Sequence, residues 1–199
     1  MLMFLALAVM LRLAQMAMGE EYSATGVAAL RESKLNNYDK MVLPSGTTTV
    51  NISEITVLSF DLHETEHLIN VHTWLNHEWM DPRLEWSAED HPGVEFLRMD
   101  PREIWKPDLT VYNSADVKDY MSEHLTSILV YPEGRVLYVP PVKIRFTCTM
   151  DLTYWPHDTH ECRVSIGSWV HHKKQIDLQV GSDTLKVRYW RVDLMVGKS

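Results

Sequence analysis

The chain has 199 residues and a formal net charge of −8, with 45% apolar and 23% charged residues. This is the composition of a globular protein rather than a disordered one, and the length suffices for one all-β domain with a real core. The acidic balance speaks against a nucleic-acid surface, whose phosphates reward a basic face, and mildly favours attraction of cations.

The first 19 residues stand apart. Met1 to Met18 is almost entirely apolar, interrupted by Arg12 and Gln15, and is too short and broken for a membrane span. Ala17 and Gly19 put small residues three and one positions ahead of a cut at Glu20, where the sequence turns polar. Residues 1–19 therefore read as a secretory signal peptide, although neither Lys nor Arg precedes the apolar run. A misassigned start and an uncleaved anchor are the other readings. No later stretch reaches 18 apolar residues, so residues 20–199 are expected to form a domain without a transmembrane helix. Asn51-Ile52-Ser53 is a glycosylation sequon consistent with the secretory route.

A short helix is predicted over Ala24 to Asn37, where Val27, Leu30 and Lys34/Leu35 keep helical spacing before Pro44 and Gly46 break it. Beyond it the pattern alternates with period two. Leu58, Phe60 and Leu62 share one strand face, as do Ile69, Val71, Thr73 and Leu75. Phe146, Cys148, Met150 and Leu152 form another such row, followed by Cys162, Val164 and Ile166, and then Ile176, Leu178 and Val180. Turn signals separate the runs at Asp81-Pro82, His91-Pro92-Gly93, Asp100-Pro101, Pro132-Glu133-Gly134 and Pro140-Pro141. Many short strands at this spacing indicate a β-sandwich. The chain's two cysteines, Cys148 and Cys162, both fall on apolar faces, and a secreted context makes a disulfide between them the natural reading. It would close a loop of 13 intervening residues, worth roughly 3 kcal/mol in the chain-entropy treatment.

Three aromatic residues break the alternation. Trp74 falls with Asn70, His72 and Asn76; Tyr112 falls with Thr110; Trp169 falls with Arg163, Ser165 and Gly167. Each leaves the core side of its strand. Singly, such a ring covers a strand surface or packs under a loop; together, electron-rich ring faces suit a cation, above all a quaternary ammonium. Periodicity alone does not bring the three into one place.

From about Leu30 onward, the motifs occur in a familiar order. Trp74-Leu75, Trp79, Asp81, Leu84 and Trp86 fit W-L-x-x-x-W-x-D-x-x-L-x-W. Ile104-Trp105-Lys106-Pro107-Asp108 fits I-W-x-P-D, and Tyr112-Asn113-Ser114-Ala115-Asp116 fits Y-N-x-A-D. Pro140-Pro141 follows the hairpin around Gly134, Cys148 and Cys162 enclose Pro156 and Asp158, and Gly167-Ser168-Trp169 and Ile176-Asp177-Leu178 complete the set. In these features the chain resembles the ectodomain of nicotinic acetylcholine receptors, and more distantly the soluble acetylcholine-binding proteins.

The resemblance implies a ten-stranded β-sandwich of immunoglobulin-like appearance with an N-terminal helix, assembled as a pentamer that binds acetylcholine or a similar cationic amine between subunits. It implies that Tyr112 and Trp169 belong to a principal face, with Trp169 the main cation–π partner of the ligand and Asp108 supporting it from behind. Trp74, Leu129, Leu137 and Val139 would form the complementary face, so one chain would not close the cage. It further implies a secretory route to the extracellular, postsynaptic face of the plasma membrane, and no cofactor.

The departures are local. The family's F-P-F-D loop, which couples binding to the channel, reads Trp155-Pro156-His157-Asp158. After Trp169 the usual Tyr-Asp-Gly-like segment is Val170-His171-His172-Lys173, which would weaken cation binding, make it depend on pH, or form a solvated turn. Trp190 to Lys198 reads as the ninth strand, and the family's third principal loop, tenth strand and membrane helices do not follow it. A receptor-subunit ectodomain cut short before those parts is the first expectation, with Arg188 to Val196 loosely held at an exposed edge. A secreted protein that sequesters ligand, and a partner that interferes with assembly of full subunits, are the alternatives. His63 and His67, and His157, His160, His171 and His172, lack a zinc-ligand spacing. The pairs Glu20-Glu21 and Glu89-Asp90 sit in polar stretches, and no nucleophile elbow or phosphate-binding glycine loop is present, so no enzyme is expected.

Overall fold

The computed structural model describes residues 23–115, 126–150, 153–154, 157, 161–181 and 191–196. Residues 1–19, read above as a signal peptide, lie outside them, as do Leu152, Trp155, Pro156, Asp158 and Asp116.

Helix α1 (Ala24–Leu35) opens on Ser23, whose hydroxyl accepts the Gly26 N–H at 3.2 Å, satisfying one of the otherwise unpaired first-turn donors. Asn37 ends it in the left-handed region, φ 60°, a conformation Asn tolerates better than most residues. The helix buries Leu30, and Val27 and Leu35 pack against the same core.

The strands are β1 (Thr48–His63), β2 (Leu68–Met80), β3 (Leu97–Met99), β4 (Leu109–Val111) and β5 (Ile128–Val130), then β6 (Arg135–Tyr138), β7 (Pro141–Thr147), β8 (Glu161–Ser168), β9 (Ile176–Val180) and β10 (Arg191–Val196). They form a seven-stranded sheet of order β3-β5-β6-β2-β1-β9, with β7 also on β2, and a three-stranded sheet of order β10-β8-β4. Strand β2 is long enough to pair with β6 through His77–Met80 and with β7 through Leu68–Trp74 along one edge. The break between them falls at Pro140, which has no N–H to give the ladder; its carbonyl still accepts the Leu75 N–H at 3.1 Å.

Of the expected face of Leu58, Phe60 and Leu62, the last two share a side, opposite Val71 and Ile69, with Leu62 packed against the core, and Leu58 drops out. Strand β1 carries two irregularities, between Ile52 and Glu54 and between Val57 and Ser59. Each extra residue reverses the side to which later side chains point. Buried positions therefore run Val50, Ile52, Ile55, while Leu58 sits in the second irregularity, 58% exposed, and Phe60 is also exposed. The other apolar rows go inward as their spacing requires: Ile69, Thr73 and Leu75, Phe146 to Met150, Cys162 to Ile166, and Ile176 are buried.

Two core clusters fill the sandwich. One lies beneath α1 and gathers Trp79, Trp86, Trp105 and Tyr138. The other packs Ile55, Leu75, Ile144 and Phe146 of the larger sheet against Leu109, Val164 and Ile166 of the smaller one. Cys148 and Cys162 belong to this second cluster and are joined by a disulfide, with Cα atoms 5.4 Å apart. Leu178 packs against both clusters. Beneath α1, the fully buried Asp81 accepts from Arg83 Nε and Nη2 and from the Tyr38 hydroxyl, which itself accepts the Trp105 N–H. Gly134, at φ +78°, lets the β5–β6 turn approach: a Cβ there would stand 2.8 Å from the Asp81 carbonyl oxygen.

Arg188 to Val196 is expected at an exposed edge, and Arg191–Val196 lies at one. It pairs in parallel with Glu161–Ile166 of β8 and occupies the edge of the smaller sheet, so its ladder is satisfied on one side.

Candidate cation-binding site

Strands β4 and β8 are antiparallel neighbours, Leu109 opposite Ser168 and Val111 opposite Ile166. Their pairing carries Tyr112 past the end of β4 and Trp169 past the end of β8 on the same side. Tyr112 N–H donates to the Ser165 carbonyl at 2.8 Å, and the next residue continues the attachment through its side chain: Asn113 Nδ2 donates to the Arg163 carbonyl at 2.7 Å, and its Oδ1 accepts the Ser165 N–H at 3.0 Å. The two rings stand 6.4 Å apart between centroids, inclined at 49°. The Tyr112 hydroxyl donates to the Ser168 carbonyl at 2.5 Å. Gly167 makes this possible, because a Cβ on it would lie 2.6–2.9 Å from three atoms of the Tyr112 side chain.

Trp169 is 74% exposed and Tyr112 48% exposed. So much exposed ring is normally mobile, yet this turn is tied down by Asp108. Asp108 Oδ2 accepts the Trp169 N–H at 3.0 Å and the Val170 N–H at 2.7 Å. Its Oδ1 accepts the Ser168 hydroxyl at 2.6 Å and lies 3.0 Å from His171 Nδ1. Burial alone pushes the Asp108 carboxyl up; the hydrogen bonds from Ser168, Val170, His171 and its own N–H outweigh it, and the carboxyl titrates below its ordinary value. A carboxylate thus sits behind two exposed electron-rich rings, an arrangement that attracts a desolvated cation.

Trp74 is not brought to this pair. It lies on β2 in the larger sheet, half-buried, opposite Thr56 and Pro141. Leu129 and Leu137 face each other across β5 and β6 on the outer side of that sheet, half-buried, with Val139 two residues further along the same side. Glu78 stands opposite both Leu137 and Asn51, and Asn51 Nδ2 donates to Glu78 Oε1 at 3.3 Å. The sequon asparagine is therefore half-buried in mid-strand on this outer face. Of the loop inside the disulfide, His157 is exposed and its N–H donates to the Tyr154 carbonyl at 2.8 Å.

The solvated-turn reading of Val170 to Lys173 holds for Val170, His172 and Lys173, which are exposed, and fails for His171, whose side chain is 22% exposed and bound to Asp108. Ser168, an ordinary polar position by alternation, likewise reaches Asp108 through its hydroxyl. Both follow from a turn reversing after β8, which alternation along the strand does not report. Among the described residues no group of three or more His, Cys, Asp or Glu is placed to hold a metal ion.

Two stacked β-sheets clamped by a disulfide, with a tethered aromatic pair where the central strand of the smaller sheet ends, define a ligand-binding β-sandwich. The family model of the neurotransmitter-gated ion-channel ligand binding domain matches residues 28–195, and the chain belongs to that family. It is similar to the neuronal acetylcholine receptor subunit alpha-3 of Bos taurus, 30% identical over 170 residues, covering 81% of this chain and 33% of that subunit. The alpha-3 subunit of Rattus norvegicus is 31% identical over 163 residues, covering 77% of this chain and 32% of its own length. The acetylcholine receptor subunit beta-like 1 of Drosophila melanogaster is 33% identical over 145 residues, 71% of this chain and 28% of that subunit. These relatives are receptor subunits rather than enzymes, and the chain spans about a third of their length.

Proposed function

We propose that this domain binds acetylcholine or a similar cationic amine, with Tyr112 and Trp169 as the principal face and Asp108 holding Trp169 in place. The observation that carries the reading is an exposed tryptophan whose backbone is fixed by a carboxylate. A rigid, water-facing ring beside a second ring, with a negative charge behind it, is a poor surface feature and a good ammonium site. Trp74, Leu129, Leu137 and Val139 lie on the outer side of the opposite sheet, so they complete a cage only when contributed by a neighbouring subunit. The reading therefore includes assembly with like subunits, in the pentameric cation channel of a nicotinic-type receptor, on the extracellular side of the plasma membrane. The disulfide loop with Trp155, Pro156, His157 and Asp158 would transmit binding to the rest of such a receptor, and Asn51 is its candidate glycosylation site.

The test is acetylcholine binding to assembled subunits carrying Trp169→Ala or Trp74→Ala. Loss in both, restored when each variant is mixed with a subunit carrying the other, supports a site shared between opposite faces. Binding that survives Trp169→Ala, or that resides in the monomeric chain and ignores Trp74, refutes it.

A further inference from the structure

Resting on the reading of Tyr112 and Trp169 as one wall of a cation site, we propose that His171 is a positioning residue that locks the Trp169 turn through an Nδ1–H bond to Asp108.

A carboxylate facing a ring nitrogen accepts and does not donate. Nδ1 of His171, 3.0 Å from Asp108 Oδ1, therefore carries the hydrogen. The same Oδ1 accepts the Ser168 hydroxyl at 2.6 Å, and the Ser168 oxygen accepts the His171 backbone N–H at 2.9 Å. Asp108, Ser168 and His171 thus form a closed ring of three hydrogen bonds. The other carboxylate oxygen holds the N–H groups of Trp169 and Val170. Each backbone N–H from Trp169 to His171 is consequently bound within this network. Without the imidazole, Oδ1 would keep Ser168 but lose the second donor that fixes the plane of the carboxylate. The carboxylate would then be held by three side-chain-directed hydrogen bonds instead of four, and the Trp169 N–H, which reaches Oδ2 and more distantly the Asp108 carbonyl at 3.4 Å, would be held less firmly. The imidazole is shielded enough for this work, with 22% of its side chain exposed, whereas its neighbours His172, Lys173 and Lys174 are exposed.

The prediction distinguishes amide variants by reach. An Asn side chain places an N–H near the position of imidazole Nδ1, a Gln side chain near Nε2, and Leu offers no donor. In nitrogen-15-labelled 199-residue chain, long-range proton–nitrogen spectra should place a proton on His171 Nδ1. His171→Asn should keep the wild-type amide shifts of Trp169 and Val170 and the indole shift of Trp169, while His171→Gln and His171→Leu should move all three. Dispersed β8 amides in each spectrum separate a moved turn from a lost fold. A bare Nδ1, unchanged shifts in His171→Leu, or Asn and Leu variants that shift alike would each overturn the proposal. Tetramethylammonium titrated into assembled subunits, wild type and the same variants, tests the underlying reading separately. If the wild type shows no response at Tyr112 or Trp169, the cation site falls while the amide comparison still decides the role of His171. If it binds, His171→Leu should bind about tenfold more weakly, the worth of one hydrogen bond to a charged acceptor, and His171→Asn nearly as well as wild type; equal affinity in all three overturns the positioning role.

Discussion

Adding one methyl group at Gly167 should disassemble the aromatic pair. The Cβ of Gly167→Ala would stand 2.6 Å from the Tyr112 hydroxyl oxygen, 2.7 Å from Cε2 and 2.9 Å from Cζ. These are the rigid ring and its hydroxyl oxygen, so the whole side chain has to swing, and the bond from the hydroxyl to the Ser168 carbonyl breaks. Crowding of this kind destabilises by about 1–3 kcal/mol, and the lost hydrogen bond adds about 1 kcal/mol. Against this, Ala in place of Gly in a strand stabilises by about 0.5–1 kcal/mol when nothing obstructs it. The sign should therefore depend on residue 112. In the wild-type background Gly167→Ala should destabilise by about 2 kcal/mol; in a Tyr112→Ala background it should be neutral or slightly stabilising. The four proteins form a double-mutant cycle, read from urea midpoints at constant slope, with a coupling of about 2–3 kcal/mol. If Gly167→Ala is equally harmful with and without the Tyr112 ring, the close approach is not the reason for glycine at this position.

Three further outcomes are expected. His77 is fully buried between Trp79 and Tyr138, and burial lowers its pKa from 6.5 to about 4, so the fold favours neutral imidazole. Its contribution is complete above pH 6.5, declines as pH falls toward 4, and levels off below that, a span of about 3 kcal/mol that His77→Leu should remove from the unfolding free energy measured against pH. Asp81→Ala leaves the Arg83 guanidinium and the Tyr38 hydroxyl without their buried acceptor and should destabilise by about 3–5 kcal/mol in denaturant titration. Asp108→Asn keeps the shape but turns one oxygen into a donor facing N–H groups; hydrogen exchange at Trp169 and Val170 should accelerate by about tenfold or more, while Val164 in mid-β8 stays protected.

Much of the sandwich was legible because burial on one face imposes period two on Ile69–Leu75, Phe146–Met150 and Cys162–Ile166. Where a strand carries an extra residue the rule misleads: Leu58 has the right spacing, but it is the extra residue of the second irregularity in β1, while Phe60 and Leu62 beyond it lie opposite Val71 and Ile69. Alternation also identified Tyr112 and Trp169 as facing away from the core, yet it could not bring them together, since that depends on the register of β4 against β8, 50 or more residues apart. The part His171 plays was invisible for a related reason. Its partner is a carboxylate 63 positions earlier, and a histidine in a run with His172, Lys173 and Lys174 reads as solvated until the turn is built.

Strand β8 begins beside one covalent anchor and ends at a cluster of polar ones. Cys162, its second residue, is bonded to Cys148 at the end of β7, and Ser168, its last, is bonded to Asp108. Six residue steps of extended chain, roughly 20 Å, separate the two attachments. Extended backbone hardly stretches, and β4 and β10 flank it and resist sideways bending. The strand is thus a strut: a pull on the Trp169 turn along its axis is not absorbed within β8 but arrives at Cys162, crosses the sulfur bridge, and loads the opposite sheet through β7.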